Sequence, residues 1–374
     1  MDRSKWEYKK LGEVCTMYQP KTISTQELVD DGDYLVYGAN GVIGRYDKFN
    51  HEQSEILMTC RGATCGTINI SEPFSWINGN AMVIHPANND FVRDFLVYQL
   101  KAVDKSSVIT GAAQPQITRQ MLQTLPVVKA PISDQQRIVA ELDCLNEMIA
   151  VKQEQLKEFD KLAQSIFYDM FGDPVANEKK IEKYSLGKIA VFKNGLNFKP
   201  VDEGNSIRIL GVSDFQDLKE IKTADSLSLK CIKETVDDDY YLKNGDIVIV
   251  RSNGSKKLVG RNVLIRFEDK NVAYSGFCIR CRLTSDDCLP LYLNFVLSTP
   301  SMKELMTFGG RGCNIANINQ QALNRLPSPL PPLSLQQQFA DKISAIEAQK
   351  ELVKQSIAET QQLFNSKMDY YFND

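Results

Sequence analysis

Two stretches of the chain start alike although about two hundred residues separate them: PISDQQRIVAELD at residues 131–143 and PLSLQQQFADKIS at residues 332–344. When the 374-residue sequence is shifted by 201 positions, it matches itself from about residue 111 to the end of each half. The dipeptide Leu125-Pro126 falls on Leu326-Pro327, and Phe171 falls on Phe372. A repeat this long indicates a duplicated domain, because solenoid modules are much shorter.

Each of the two stretches predicts the start of a long helix. Ser133 with Gln136, and Ser334 with Gln337, follow the capping-box pattern, and prolines precede both. Apolar residues then recur at alternating spacings of four and three, which is the seam of a coiled coil. The pattern lasts roughly 38 residues in each copy, and neither copy contains an internal glycine or proline.

The length of the two helices decides between two arrangements. One alternative is that each amphipathic helix packs only on its own domain. A helix of roughly 38 residues is about 57 Å long, however, and a small domain cannot cover such a stripe. We therefore expect an antiparallel pair that holds two similar domains at opposite ends, related by a pseudo-twofold axis. Lys152 and Lys350 lie on the seam, where polar residues can set the register.

The regions outside the helices predict a mixed α/β (α+β) fold, with short β-rich segments bounded by turn residues. The expected strands lie at residues 54–60, 81–86, 245–252, 260–267 and 276–283, and the expected helices at 90–102 and 290–306. The predicted division is a first globular domain at 1–130, a spacer helix at 131–172, a second globular domain at 173–331 and a second spacer helix at 332–374.

The charge is distributed unevenly along the chain. The formal net charge is −3, which by itself argues against nucleic acid. Residues 241–333 nevertheless carry 12 basic and 6 acidic residues, a net of +6, whereas the two helical stretches, 133–170 and 334–374, carry 8 basic and 14 acidic residues, a net of −6. A local positive field can bind a phosphate backbone. The alternative is a solvated surface that happens to be basic.

Composition and motifs narrow the class of protein. No apolar run reaches the roughly 20 residues that cross a bilayer, and the N-terminal sequence lacks the apolar segment of a signal peptide. Nine scattered cysteines favour reduced thiols and a cytoplasmic location. Cys278 and Cys281 have CxxC spacing, but residues three apart in a strand face opposite sides, so a shared metal is not expected.

Signals for catalysis or a cofactor are weak throughout the sequence. The stretch YGANGVIGRY at residues 37–46 has three glycines, but not at the dinucleotide-binding spacing, so a turn-rich loop is the better interpretation. Motifs of hydrolases, P-loop proteins and amino-methyltransferases are missing from the sequence. We therefore expect neither a catalytic residue nor a bound metal in this chain.

The remaining polar residues near predicted strand ends and glycine-rich loops suit DNA recognition. Arginine and asparagine can make paired contacts to guanine and adenine, while lysine and serine suit phosphates. The alternative for any one of them is ordinary solubilising charge. The candidate DNA-binding residues are Asn40, Arg45, Arg61, Thr64, Gln114, Arg251, Asn253, Ser255, Lys256, Lys257, Arg261, Arg311 and Asn314.

These motifs together resemble those of the specificity subunit of type I restriction–modification systems. The resemblance lies in YGANGVIG (37–44), GDIVIVRSNG (245–254) and the duplicated segment that runs from Leu-Pro into each helix, and it covers essentially the whole chain. The usual acidic-Gln pair at the helix start appears as Asp134-Gln135 in the first copy but as Leu335-Gln336 in the second.

The resemblance implies a DNA-reading adaptor that is not itself an enzyme. Each globular domain would be a target recognition domain for one half of a split, asymmetric site in double-stranded DNA. The helices would set the spacer and dock two methyltransferase subunits, which use S-adenosylmethionine, and restriction subunits, which use ATP and Mg, would join the complex. The chain itself would bind no cofactor. Two rivals are a protein scaffold that binds no duplex and a nuclease or methyltransferase with its own activity.

Overall fold

The computed structural model describes residues 3–111, 113–199, 201, 203–215, 219–233, 235–269, 271–307 and 317–373. The chain divides into two compact units. Unit 1 comprises Met1–Glu154 and Val353–Asp374, and unit 2 comprises Gln155–Leu352. Each unit therefore contains one globular part and a segment of each long helix.

Unit 1 contains nine strands and three short helices in the described residues. The strands are β1 (Glu7–Lys10), β2 (Cys15–Tyr18), β3 (Tyr34–Gly38), β4 (Gly41–Tyr46), β5 (Ile56–Thr59), β6 (Ile68–Ile70), β7 (Trp76–Ile77), β8 (Ala81–Pro86) and β9 (Pro126–Lys129). The short helices are α1 (Leu11–Val14), α2 (Arg93–Ala102) and α3 (Arg119–Leu122), and the first long helix, α4 (Ile132–Phe171), starts in this unit.

Unit 2 repeats this order of elements with three differences: it has an additional strand at Glu220–Ile221 and an additional helix at Pro300–Thr307, and a 3-10 turn replaces α1. Its strands are β10 (Lys183–Ser185), β11 (Ala190–Asn194), β12 (Asn205–Leu210), β13 (Glu220–Ile221), β14 (Ser228–Ile232), β15 (Ile247–Val250), β16 (Asn262–Ile265), β17 (Val272–Tyr274), β18 (Cys278–Leu283) and β19 (Pro327–Pro329). Its helices are α5 (Pro290–Ser298), α6 (Pro300–Thr307) and α7 (Gln320–Arg325), followed by the second long helix, α8 (Leu333–Phe372), which ends in unit 1.

The sheets of the two units have matching topology. Unit 1 has a four-stranded sheet in the order β2-β8-β5-β6, and unit 2 has the corresponding order β11-β18-β15-β16 with β13 added at the edge. Each unit also has a three-stranded sheet, β4-β3-β7 or β14-β12-β17, in which the first pair is antiparallel and the second parallel. This repetition confirms the predicted duplication and the mixed α/β class.

Five segments predicted as strands correspond to β5, β8, β15, β16 and β18. The segment predicted as one helix at 290–306 is instead two helices, α5 and α6, which Thr299 separates. Pro300 explains the break, since proline lacks a donor N–H and disfavours a helical conformation in the residue before it. The stretch YGANGVIGRY, predicted as a turn-rich loop, is instead mostly strand: it forms the hairpin of β3 and β4, and only Ala39 and Asn40 make the turn.

Both long helices are 40 residues long and unbroken. In unit 1 the start of α4 and the end of α8 run antiparallel: Glu141 accepts hydrogen bonds from Lys367 and Tyr371, and eleven residues further along α4, Lys152 donates to Thr360 Oγ1 over 2.9 Å. The predicted antiparallel pairing is thus confirmed within this unit. Ile138 and Leu142 of α4 and Tyr371 of α8 are part of one core with the four-stranded sheet.

In unit 2 the end of α4 packs on the start of α8, again antiparallel. Lys350 Nζ lies 3.1 Å from Asp160 Oδ1, and the Phe167 ring centroid lies 5.7 Å from that of Phe339. Phe167 and Phe171 are buried here, whereas the predicted seam residues Ile166 and Met170 are only half-buried. The buried stripe of α4 has therefore shifted by one residue, because the helix must cover the domain as well as its partner helix.

The two helices start differently from the capping-box prediction, which was wrong. The carbonyl groups of Pro131 and Pro332 accept the first hydrogen bonds, so Ser133 and Ser334 lie inside the first turn. The start of each long helix is instead held by the side-chain hydrogen bonds of Gln135 and Gln336, both 0% exposed.

The two buried glutamines make equivalent sets of three hydrogen bonds. Gln135 Nε2 donates to the carbonyls of Asp90 and Ala130, and its Oε1 accepts from the N–H of Val92 over 2.8 Å. Gln336 Nε2 donates to the carbonyls of Asp287 and Pro331, and its Oε1 accepts from the N–H of Leu289, also over 2.8 Å. Each glutamine thereby joins the start of a long helix to the start of α2 or α5.

Within the described residues, every helix is too short or too polar to qualify as a membrane span. Cys278 and Cys281 are both buried in β18 but belong to different cores, on opposite faces of the sheet. This confirms that the CxxC pair does not converge on one point.

Candidate nucleic-acid interface

The first candidate surface is a pair of loops in unit 1, which we call loop pair 1; it comprises residues 60–66 and the described residues 110–111 and 113–117. Loop 60–66 joins β5 to β6. Main-chain contacts connect the two loops: the Gly62 N–H donates to the Pro115 carbonyl over 3.0 Å, the Ile117 N–H donates to the Cys60 carbonyl over 2.9 Å, and Arg61 forms a β-bridge with Gln116. The loops therefore form one framework rather than two independent segments.

Loop pair 1 brings together four of the predicted residues. Arg61, Thr64 and Gln114 are exposed on it. Asn40 is exposed at the turn between β3 and β4, and this turn is held beside the end of β5 because the Thr59 hydroxyl donates to the Ala39 carbonyl. The local conformation needs Gly111, which has φ +88° and where a Cβ atom would lie 2.4 Å from the Gln114 carbonyl oxygen.

Arg45 lies apart from this group, near the opposite end of β4. Its guanidinium donates to the main-chain carbonyls of Gly32 and Asp33, the latter over 2.9 Å. These bonds hold the segment before β3 in place. A contact of Arg45 with DNA stays a prediction, and its side chain has a structural role in any case.

The second candidate surface is loop 251–260 of unit 2, which we call loop 2. It joins β15 to β16 and is closed by hydrogen bonds from the Val250 N–H to the Arg261 carbonyl and from the Gly260 N–H to the Val250 carbonyl. Asn253 Oδ1 accepts from the Ser255 N–H over 2.8 Å, which rigidifies the turn. Ser255, Lys256 and Lys257 project from loop 2 into solvent.

Loop 2 and loop 60–66 occupy the same place in the two units, but Arg61 and Arg251 are not equivalent. The Ile117 N–H donates to the carbonyl of Cys60, whereas the corresponding Ile318 N–H donates to that of Arg251. Arg61 instead corresponds to Ser252, which forms the matching bridge with Asn317. Adjacent residues of an extended chain point to opposite sides, so the exposed Arg61 and the half-buried Arg251 differ in orientation.

Next to Arg251 lies an exposed aromatic side chain, Phe277, which the sequence did not indicate. The Arg251 N–H donates to the Phe277 carbonyl over 2.9 Å, and the buried Nε atom of Arg251 has no hydrogen-bond partner within the described ranges. The Phe277 side chain beside it is 61% exposed, an unusual state for an aromatic residue and one suited to stacking. Phe277 was missed because its sequence context predicts only a strand.

The remaining candidates fall at or beyond the end of loop 2. Arg261 follows loop 2 directly and is half-buried. Arg311 and Asn314 lie outside the described residues.

Two half-buried lysines lie next to the corresponding loops of the two units. The glycine that ends each loop has a positive φ, and its added Cβ would lie 3.2 Å from Lys105 Cδ at Gly66 and 3.7 Å from Lys303 Cγ at Gly260. Burial lowers the pKa of both lysines. Positive charge is thus placed under both surfaces.

Groups of three or more His, Cys, Asp or Glu side chains that could hold a metal ion do not occur among the residues the structure describes. His51 hydrogen-bonds with Tyr18 over 2.9 Å, and His85 pairs with the buried Glu55, also over 2.9 Å. Both histidines of the chain therefore have structural partners.

Comparison with known proteins identifies one family. A family model described as the type I restriction modification DNA specificity domain matches residues 3–160 and again residues 178–362. The chain is similar to the type I restriction enzyme StySPI specificity subunit of Salmonella potsdam, with 23% identity; the match covers 91% of this chain and 73% of that protein.

Two solved structures have a similar fold. The crystal structure of a type I restriction-modification system S subunit from M. genitalium has a TM-score of 0.58 at 15% identity, covering 100% of this chain and 98% of that one. A structure described as the basis of complex assembly and conformational transition of the type I R-M system has a TM-score of 0.60 at 18% identity, covering 98% and 97%. At these identities, the likeness concerns the fold.

Proposed function

Because the chain belongs to the family of type I restriction modification DNA specificity domains, we propose that it selects the DNA sequence on which a type I restriction–modification complex acts. Unit 1 reads one half of a bipartite site through loop pair 1, and unit 2 reads the other half through loop 2. The site is asymmetric, since the two surfaces carry different side chains.

One observation carries this proposal: the same main-chain framework occurs once in each unit but presents different polar groups. Ile117 and Ile318 donate equivalent hydrogen bonds, yet Arg61 stands where the second unit has Ser252. A main-chain frame that both units share, with different side chains on it, suits readers of two different sequences, because base edges are distinguished by the donor and acceptor pattern of side chains.

The long helices have two roles in this proposal. Their length sets the number of base pairs between the half-sites, and their acidic outer faces dock two methyltransferase subunits. Exposed glutamate and aspartate side chains favour a basic protein surface over a phosphate backbone, because like charges repel. Restriction subunits then join the assembled complex.

In this proposal the partner subunits carry out methylation and restriction. The methyltransferase subunits bring S-adenosylmethionine and the restriction subunits bring ATP and Mg, while this chain binds no cofactor and is not catalytic. The complex works in the cytoplasm, where the DNA is.

A methylome comparison tests the function directly. Long-read sequencing of the native host, with this gene intact and deleted, should show that one split, asymmetric methylated motif disappears on deletion. Reintroducing the gene should restore the same motif.

Binding by the purified chain separates the rival interpretations. With the motif known, the full chain should prefer a duplex that carries both half-sites to one with scrambled half-sites. An unchanged methylome together with no duplex binding at low salt would instead support a protein scaffold. Methylation or cleavage by the chain alone would reveal an activity of its own and would contradict the adaptor role.

A further inference from the structure

Unit 2 contains a cationic pocket next to loop 2. The pocket has a volume of about 250 Å³ and lies between the end of α4, the start of β16 and helix α5. Lys219, Arg261 and Lys303 line it together with Asn262, Asn294 and Ser298. Three positive side chains thus share one small cavity.

The polar floor of the pocket is already hydrogen-bonded internally. Asn262 Nδ2 donates to Asn294 Oδ1 over 2.7 Å and to Ser298 Oγ over 3.0 Å, and Asn294 Nδ2 donates to the Lys219 carbonyl over 3.1 Å. These bonds hold β16, α5 and the segment at residue 219 in fixed positions. Lys303 takes no part in this network, so its ammonium group remains for a ligand.

Lys303 is the cation whose charge is least compensated. Its ammonium group makes no hydrogen bond or ion pair with any residue that the structure describes, whereas Lys219 lies 3.1 Å from Asp160. Burial, and then the charges of Arg261 and Lys219, lower the pKa of Lys303. Like charges in a half-buried cavity destabilise one another, and an oxyanion between them would remove that cost.

Unit 1 provides an internal comparison. Lys105 beside Gly66 corresponds to Lys303 beside Gly260. The other positions differ, because Thr67 and Ile68 follow Gly66 where Arg261 and Asn262 follow Gly260, and Val97 occupies the position of Asn294 along the helix. The combination of cations and amides is therefore particular to unit 2.

We infer that this pocket binds a phosphate group, and that the group is a backbone phosphate of the DNA next to the half-site read by unit 2. The assignment to DNA rests on the proposed function. Arg261, which lines the pocket, follows loop 2 without an intervening residue, so the pocket adjoins the surface on which we place the strand. Fixing one phosphate there sets the register in which loop 2 meets the bases.

The test is the salt dependence of binding by the full chain to its bipartite duplex. Each phosphate contact contributes a slope of about −0.9 to a plot of log affinity against log salt. We expect Lys303→Gln to make this slope shallower by about one contact and to weaken binding about equally for matched and mismatched second half-sites. Lys219→Gln should act in the same direction, which covers the case that the first variant does not fold.

Lys342→Gln is the matched control, because it removes the same charge from an exposed position on α8 within unit 2, and it should leave the salt slope unchanged. A second arm measures the Tm of the chain against inorganic phosphate at constant ionic strength. Phosphate should raise the Tm of the wild type but not of Lys303→Gln.

Each outcome decides a different point. A lost phosphate effect with an unchanged DNA slope would mean a site for a free phosphate and would overturn the assignment to the DNA backbone. No effect in either arm would overturn the pocket, while the proposed function would stand if the wild type still selects its duplex. A wild type that does not select the duplex would refute the proposed function and, with it, the DNA assignment.

Discussion

At the scale of single residues, two buried glutamines determine how each globular part is joined to its long helix. Gln135 and Gln336 each use both amide atoms on main-chain groups, and each joins the segment before the long helix to the segment before α2 or α5. A buried amide is stabilising only when its donors and acceptors are all satisfied. This explains why a glutamine recurs at the same place in both copies.

Gln135→Met tests this role, since methionine keeps the shape of the side chain but cannot hydrogen-bond. The substitution leaves the Val92 N–H and two carbonyls without their partner, and we expect a loss of about 3 kcal/mol in the free energy of unfolding of unit 1. Both tryptophans, Trp6 and Trp76, lie in unit 1, so urea unfolding followed by tryptophan fluorescence reports on it.

Gln136→Met is the matched control, because Gln136 is the exposed neighbour on the same helical turn. It should change the free energy of unfolding by less than about 0.5 kcal/mol. Equal losses for the two variants would show that helix propensity, and not the buried amide, is responsible.

Arg61 offers a prediction about recognition. Arg61→Ala should weaken binding to the duplex by about 1–3 kcal/mol, because a side chain that reads a base edge contributes on that scale. The loss should appear only when the first half-site is intact, as measured by fluorescence anisotropy on duplexes with either half-site scrambled. Arg93→Ala removes the same charge from α2 of unit 1, where Arg93 pairs with Asp94, and should preserve discrimination. An equal effect of Arg61→Ala on both half-sites would contradict its assignment to unit 1.

At the scale of secondary-structure elements, the two long helices are stabilised by different contacts in the two units. In unit 1 the pair is held by Glu141 with Lys367 and Tyr371, and in unit 2 by Asp160 with Lys350 and by phenylalanine rings that pack edge-to-face on Phe339. Lys152 and Lys350 both hydrogen-bond across the helix pair of their own unit. Their role in setting the register stays a prediction.

The contacts of Glu141 predict a pH dependence. Hydrogen bonds from Lys367 and Tyr371 lower its pKa from the ordinary value of 4.5. A carboxylate with a lowered pKa stabilises the folded state above its unfolded pKa, and this contribution is lost as the pH falls through the folded value. The stability difference between wild type and Glu141→Gln should therefore be largest above about pH 5 and should shrink below about pH 4.

The size of this effect is limited because the Glu141 side chain is 36% exposed. We expect less than about 1 kcal/mol at neutral pH, measured by urea unfolding with tryptophan fluorescence across the pH range. Glu147→Gln is a suitable control, since Glu147 is an exposed residue of the same helix within unit 1. A difference that is independent of pH would exclude the ionised carboxylate as the cause.

At the scale of the whole molecule, the chain consists of a duplicated unit, and each long helix contributes one segment to each copy. The division between the units falls after Glu154 in α4 and before Val353 in α8. This division gives a place where the proposed spacer can be lengthened without altering the core of either unit.

Inserting one heptad after Glu154 and one before Val353 should change the tolerated spacer and leave both half-sites unchanged. Seven helical residues add about 10 Å, or about three base pairs, and keep the seam in phase. The methylated motif of a host carrying this variant measures both properties at once. Inserting five residues at each place puts the seam out of phase and should abolish methylation. Altered half-site sequences in the heptad variant would contradict the role of the helices as a spacer.

Much of the architecture could be read from the sequence because it is encoded locally or by self-similarity. The heptad spacing predicts two helices of about the observed length, and the 201-residue shift predicts the duplication. The alternation of β18 places Cys278 and Cys281 on opposite faces. Such patterns depend only on the order of neighbouring residues, so they are visible without a structure.

The details of the candidate site depend on contacts between residues that are far apart in the chain. The one-residue offset between Arg61 and Arg251 follows from hydrogen bonds donated by Ile117 and Ile318, more than 50 residues away. The role of Gln135, the exposure of Phe277 and the grouping of cations around Lys303 arise in the same way. The sequence by itself therefore determined the helices, the repeat and the family; tertiary packing alone decided which side chains meet, because burial and hydrogen-bond partners are set by chain segments that the linear order does not bring together.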